Sequence, residues 1–568
     1  MPSCNLFKPG NAEEMNEPAT APHRAAFSWK PPAVLAAATL ACLLPFAGKA
    51  FHIDDPVFLR IARQIQLHPA DFFGFTINWT GREIPMPDLA TNPPLNAYFI
   101  ALAGELFGWS ETALHLAFLV PAAGVVLGTY YLARPLCAQP LVAALAALAT
   151  PAVLVSATNV MCDMPMLAFW IWAVVLWRRG EQDGESRFFL AAALLAALAA
   201  MTKFFAVSLT PLLFVYSLAR HRGLARQQAF LLIPIAAVLG YEGLTRMMYG
   251  KGLFSSALVN NADSFGMQFG EPLFYRGLVG LSFTGGCLAT VIFFAAAIES
   301  RKVLLGALLL LISLAGLTPF VLPGKLALDG AHWPMTIQFS VFVAGGLGLL
   351  ALAVADFLRH KEDPDSLLLL LWVFGTFVFA AFINWMVNGR SILPMAPAVG
   401  ILLARRMDGA SQMANAGFSW RTAWPLLPSL VLALMVAAAD YRMANGVRAA
   451  AGEFTRQYGR GGHSLWFGGH WGFQYYMEAG GGKPVDIGKS ALKPGDVLIM
   501  PENAAVDFTL APGVRKTRRE KVIERPWLFW PATMSRSVGA GFYSHRWGAL
   551  PFAFGKVSPD RYSILGIS

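Results

Sequence analysis

Charged residues are scarce in this chain. Asp, Glu, Lys and Arg together make up 14% of its 568 residues, against 56% hydrophobic, and mean hydropathy is +0.51. So little charge excludes a soluble globular protein of this length. Cysteine is scarce too. The five (Cys4, Cys42, Cys137, Cys162 and Cys287) are scattered, and their spacing supports neither a disulfide framework nor a zinc site. A nucleotide-binding glycine loop is absent, since the run Gly480-Gly481-Gly482 reads as a turn. Acidic residues number 34 against 44 basic, a net charge of +10. In a soluble chain that excess would point to nucleic acid. Here it marks basic loops beside anionic headgroups, and no nucleic acid partner is expected.

What the chain does have is apolar runs of roughly 15–23 residues, the length that crosses a hydrocarbon core. Strands of a membrane barrel alternate and are about half as long, which excludes a barrel. The reading is an all-α polytopic membrane protein with interfacial helices in a first outer loop and a small C-terminal α/β extracytoplasmic domain. Spans are expected at 32–51, 112–133, 138–157, 163–178, 188–202, 204–219, 228–248, 277–298, 303–323, 336–356, 366–387, 391–404 and 423–440, about thirteen transmembrane helices in all. Residues 1–30, polar and rich in Pro and Glu, read as a disordered cytoplasmic tail, and the first run as a retained helix. The transmembrane domain is drawn at 31–440, its first outer loop at 52–111, and the C-terminal domain at 441–568.

Alternate loops are basic. They carry Arg134; Arg178, Arg179 and Arg187; Arg220, Arg222 and Arg226; Arg301 and Lys302; Arg359 and Lys361; Arg405, Arg406 and Arg421. The positive-inside rule puts these loops and the N-terminus in the cytoplasm, and the C-terminal domain outside a plasma (inner) membrane. The first outer loop holds PVFLRIARQIQLHP (56–69), with Val57, Phe58, Ile61 and Ile65 on one side, the pattern of an interfacial helix. A second short helix is expected over 94–108, started by the Pro93-Pro94 pair and stopped by Gly108.

Four places on the outer side carry groups capable of chemistry. Asp54-Asp55 follows the first span. A carboxylate there can accept a proton from a hydroxyl or hold a divalent cation, or it can simply end the span and cap the next helix. Asp163, in Cys162-Asp163-Met164-Pro165, invites the same capping explanation. Lys203, between two short apolar runs, can bind a lipid phosphate or snorkel to the interface. Arg390, in Asn388-Gly389-Arg390-Ser391, suits a bidentate phosphate contact or sits at a hairpin tip.

Taken in order, these motifs form a pattern: the acidic pair, Asn92-Pro93-Pro94-Leu95, the run CDMPM at 162–166, Ala200-Met201-Thr202-Lys203, and Arg390-Ser391-Ile392-Leu393-Pro394. It resembles the glycosyltransferase C superfamily, in the branch of the protein O-mannosyltransferases and the lipid A aminoarabinose transferases. The resemblance implies inverting transfer of a sugar from a polyprenyl-phosphate donor to a glycan, lipid or protein acceptor at the outer face. It implies Asp54 as general base or acceptor-orienting carboxylate, with Asp55 beside it, Asp163 near the acceptor or a divalent metal shared with Asp54, and Lys203 and Arg390 near the donor phosphate. Where the aminoarabinose branch has Lys before Pro-Pro this chain has Asn92, and Arg82 is the candidate substitute. A secondary transporter or flippase of lipid-linked sugars is the rival reading. It would place ionisable groups mid-span, whereas the span centres here are nearly free of charge.

Overall fold

The computed structural model describes residues 29–266, 272–321, 333–410, 423–459, 463–502, 516–523 and 530–568. The expected N-terminal tail lies outside them, apart from its last residues. The described chain is mostly helical. Six helices are long and apolar enough to cross a membrane, or up to eight if each of two bent pairs counts as one span.

Among the described residues this is fewer than the thirteen expected, and part of the difference has a physical basis. The run at 138–157 folds as Pro140–Leu148 and Pro151–Ala157, bent by 63° at a proline restart. The run at 277–298 folds as Leu273–Cys287 and Thr290–Ile298, bent by 74°. The runs at 32–51 and 188–202 give apolar helices, Lys30–Phe46 and Ser186–Thr202, that are short for a full crossing. Apolar length is legible in a sequence. A change of direction inside an apolar run is not.

Helices pack closely where side chains are small. A Cβ on Gly285 would meet the Phe342 carbonyl oxygen at 1.9 Å, and one on Gly346 would meet that of Leu281 at 2.3 Å. The backbones of Leu273–Cys287 and Trp333–Arg359 touch at these glycines, the packing that stands in for hydrophobic drive inside lipid.

The first outer loop contains both expected helices. Asp55–Leu67 buries Phe58, Leu59, Ile61, Ala62 and Ile65. Leu95–Phe107 begins after Pro94 and stops at Gly108, whose φ of +91° needs glycine. Between them lies an unexpected hairpin, Thr76–Asn78 paired antiparallel with Glu83–Pro85.

The last described membrane helix, Leu426–Tyr458, is 33 residues long and serves two cores. Its first half contributes Ala433, Val436 and Ala437 to the transmembrane core. Its second half contributes Ala450, Ala451 and Phe454 to a second core with Leu465, Phe467, Phe473, Met477 and Tyr562. That core backs a five-stranded sheet, in the order Lys483–Pro484, Leu465–Phe467, Val497–Pro501, Asp560–Ile567, Lys516–Ile523. Its first three strands are parallel, with helix Trp471–Ala479 as a crossover, and the last two join antiparallel.

The segment between the outer strands does not stay with this sheet. Ala532, Met534, Phe542, Tyr543, Leu550 and Phe552 are buried in the transmembrane core. A composition break near residue 441 could not reveal that part of the C-terminal region folds back.

Candidate active site

The structure brings four of the sequence candidates into one chain of contacts. Asp54 Oδ2 accepts from Arg390 Nη1 at 2.6 Å. Arg390 Nε donates to Asp163 Oδ2 at 2.8 Å, and Lys203 Nζ donates to Asp163 Oδ1 at 2.6 Å. The order is Asp54–Arg390–Asp163–Lys203, drawn from four distant parts of the sequence.

Each dull alternative is answered by geometry. Asp54 stands at the N-cap of Asp55–Leu67 and Asp163 opens the helix Asp163–Asp183, yet neither the Asp54 nor the Asp163 carboxylate makes a capping hydrogen bond. Both turn to cations instead. Lys203 occupies an extended break between Ser186–Thr202 and the 3-10 turn Phe204–Ser208, and points at Asp163 rather than snorkelling away. Arg390 lies in a one-turn helix, Gly389–Ile392, capped by Asn388, whose Oδ1 accepts from the Ser391 amide at 2.8 Å.

Exposure is graded along the chain: Asp54 is 37% exposed, Lys203 16%, Arg390 13% and Asp163 2%. Asp163 is buried between two cations, whereas Asp54 is the carboxylate that solvent can reach. The guanidinium and the ammonium each keep N–H donors beyond those used here.

Two candidates do not join the cluster. Asp55 is fully buried and faces inward, its Oδ2 accepting from the His52 amide at 2.9 Å and its Oδ1 from the Val160 amide at 3.0 Å. It ties the loop bearing Asp54 to the loop bearing Asp163, which makes it a positioning residue. Arg82 is exposed on the turn of the hairpin and makes no hydrogen bond or ion pair to the four among the described residues. The hairpin is stapled elsewhere, the Ile487 amide donating to the Gly81 carbonyl at 2.7 Å.

Burial pushes the Asp55 carboxyl up to about 7, against Lys49 and the two amide donors that pull it down. The folded state therefore holds a proton that the unfolded chain releases near the ordinary carboxylate value. On this account stability contributed by Asp55 is present at low pH and lost as pH rises towards about 7. Melting temperatures of wild type and Asp55→Asn, measured from pH 4 to 8, are expected to show wild type losing ground to the variant as pH rises. Parallel curves would refute it.

The loop before Asp54 is strained and braced. Ile53, buried and β-branched, has φ of +49°, a left-handed conformation that costs about 1–3 kcal/mol. The brace comes from the C-terminal half of the chain. The Ala50 amide donates to Asn445 Oδ1 at 3.0 Å and the Phe51 amide to the Tyr476 hydroxyl at 2.8 Å. Gly472 packs on the Phe51 carbonyl so tightly that a Cβ would lie 2.4 Å from it.

A second buried network, missed in the sequence, lies behind the site. Lys49 Nζ donates to Asp440 Oδ2 at 2.6 Å and to Asn159 Oδ1 at 2.7 Å, with Lys49 and Asp440 both fully buried. The Tyr543 hydroxyl donates to Asp440 Oδ2 at 2.7 Å and accepts from Asn159 Nδ2 at 3.0 Å. Next to Tyr543, the Phe542 carbonyl accepts from the Gly389 amide at 2.7 Å, and His545 Nδ1 accepts from the Val387 amide at 3.1 Å. Residues 542–545 thus bridge the Arg390 loop to the Asn159–Asp163 loop. Arg276 braces the Arg390 loop from the other side, donating to the carbonyls of Ala381 at 3.0 Å and Asn384 at 2.6 Å. A signal for the pair existed: Lys49 ends the first apolar run and Asp440 ends the last, and opposite charges at such depths seek each other. Tyr543→Phe removes one hydrogen bond from each of two buried partners, one of them charged, and is expected to cost about 1–3 kcal/mol of stability, read as a lower melting temperature. An unchanged melting temperature would count against the network.

A divalent cation does not fit these residues. Arg390 already lies between the carboxylates of Asp54 and Asp163, and among the described residues no three His, Cys, Asp or Glu side chains converge.

Residues 91–241, which include Asp163 and Lys203, match the family described as dolichyl-phosphate-mannose-protein mannosyltransferase. The match covers about a quarter of the chain. No curated protein sequence matches the chain. Among solved structures, the chain is similar to ArnT from Cupriavidus metallidurans bound to undecaprenyl phosphate. Identity is 14%, 84% of this chain and 94% of that one are covered, and the TM-score is 0.46. It is also similar to the archaeal oligosaccharyltransferase AglB from Archaeoglobus fulgidus, in complex with an inhibitory peptide and a dolichol-phosphate. There identity is 15%, coverage is 80% of this chain and 64% of that one, and the TM-score is 0.46. A third is the arabinofuranosyltransferase AftD from Mycobacteria, at 13% identity, 95% and 40% coverage, and a TM-score of 0.41.

Proposed function

We propose that this membrane glycosyltransferase moves a sugar from a polyprenyl-phosphate donor to the hydroxyl of a glycan, lipid or protein acceptor. The observation that carries the reading is the run Asp54–Arg390–Asp163–Lys203, in which an accessible carboxylate sits beside two cations held by a buried one. In the proposed step the acceptor hydroxyl attacks the anomeric carbon from the face opposite the phosphate. Its proton passes to Asp54, the bond from the anomeric carbon to the phosphate oxygen breaks, and the polyprenyl phosphate leaves with that electron pair. Arg390 and Lys203 receive the charge growing on the leaving phosphate, and Asp163 keeps both cations in place without taking part in proton transfer. The family match over 91–241 supports a lipid-phosphate sugar donor.

The cluster lies at the ends of the spans opposite the basic loops, which supports an extracytoplasmic active site. The test is transfer of radiolabelled sugar from a polyprenyl-phosphate carrier in proteoliposomes of the purified protein. Label appearing on a hydroxyl acceptor supports the reading. Donor crossing the bilayer with no transfer would overturn it in favour of a transporter.

A further inference from the structure

One cavity lies far from the site. It has a volume of about 420 Å³ and is lined by Tyr131, Arg134, Val175, Arg178, Arg179 and Asp183, among others. It is formed where the helices Glu111–Ala133 and Asp163–Asp183 end. Asp163 and Asp183 bound one 21-residue helix, so the cavity sits about 30 Å from the catalytic cluster, at the opposite membrane face.

Three guanidinium groups and one carboxylate border this space. Arg134 is exposed at the end of its helix, and its guanidinium makes no hydrogen bond or ion pair among the described residues. Arg178 is held from behind by Asp365, through Nε at 2.8 Å and Nη2 at 2.7 Å, which leaves Nη1 uncommitted. Arg179 pairs with Asp183 at 3.2 Å, but the two side chains are 58% and 41% exposed, so water screens the pair and it exchanges readily. Counting Asp365 and Asp183, the cavity keeps one net positive charge. The rest of its wall combines apolar Leu132, Pro135 and Val175 with Tyr131 and Gln182. Guanidinium forks at headgroup depth beside a partly apolar wall match a phosphodiester with a hydrocarbon tail.

We infer that this cavity binds the headgroup of an acidic phospholipid from the leaflet opposite the active site. The site is separate from sugar transfer, and its test needs no activity. Purified protein in mixed detergent micelles with phosphatidylglycerol or phosphatidylcholine is examined by native mass spectrometry, for wild type, R134Q/R179Q and R134K/R179K. Arg178 is left intact because its loss would strand Asp365. Wild type is expected to retain phosphatidylglycerol over phosphatidylcholine, and R134Q/R179Q to lose roughly thirtyfold in that retention, in line with the contribution of two cations at a membrane surface. R134K/R179K is expected to keep most of it. Equal retention by wild type and R134Q/R179Q would overturn the assignment. So would displacement of the lipid by millimolar inorganic phosphate, which would mark the cavity as a free-anion site.

Discussion

Asp54→Asn is expected to lower kcat for sugar transfer by about 10²–10⁴-fold, the range a positioned general base supplies. An amide cannot take the acceptor proton, and its N–H would face Arg390 Nη1, which now donates to Asp54 at 2.6 Å. The donor KM is expected to change little, because the phosphate contacts are assigned to Arg390 and Lys203 instead. Stability is expected to change little as well. Asp54 is 37% exposed, and an ion pair reached by solvent contributes at most about 1 kcal/mol. Single-turnover transfer in proteoliposomes, with a melting curve on the same preparation, separates the chemical loss from unfolding. Activity within a few-fold of wild type would remove Asp54 as the base.

Replacing Arg390 is expected to have a comparably large effect for a different reason. Its guanidinium spans two carboxylates, with Nη1 on Asp54 and Nε on Asp163. Arg390→Gln leaves Asp163, 2% exposed, paired among the described residues with Lys203 alone, so the loss of stability is expected to stay below the about 3–5 kcal/mol of a fully unpaired buried charge. It also removes a donor to the leaving phosphate, a further loss of about 10²–10³-fold in rate. Arg390→Lys keeps the charge but not the fork. An ammonium reaches one carboxylate or the other, so a substantial loss of activity is expected with a smaller loss of stability. If Arg390→Lys proved fully active, the bridging geometry would be incidental.

These expectations depend on how the candidate residues sit, and only part of that was readable beforehand. Asp54, Asp163, Lys203 and Arg390 each stood out as a charge at the edge of an apolar run, where burial near lipid needs a reason. Their order along the chain carried the resemblance. Asp54 and Asp55 are adjacent, however, and nothing in the sequence separates an exposed carboxylate from a fully buried one. The positive φ at Ile53 precedes the pair, and Asp55 closes back on the His52 amide while Asp54 turns to Arg390. Arg82 had the right charge in the right loop, but the hairpin that carries it is pinned to the C-terminal region and leaves it exposed.

Lys49, Asp440, Tyr543 and Arg276 were not singled out as site residues. Each contributes through contacts across hundreds of positions or through backbone carbonyls, and neither leaves a local pattern. The C-terminal region was read as separate because its composition changes at about residue 441. Burial of Phe542, Tyr543 and Phe552 in the transmembrane core is long-range packing, to which composition is blind.

Apolar run length, scarcity of charge and the alternation of basic loops are local quantities. They were enough to establish a polytopic helical membrane protein and to point to one face of it, because the cost of placing charge in hydrocarbon acts on each segment alone. The bends within two of the runs, the fold-back of residues 531–554 and the contact order Asp54–Arg390–Asp163–Lys203 arise from segments meeting in space. A carboxylate becomes a base or an anchor according to which cation reaches it and how much water remains, and both are settled only once the helices have packed.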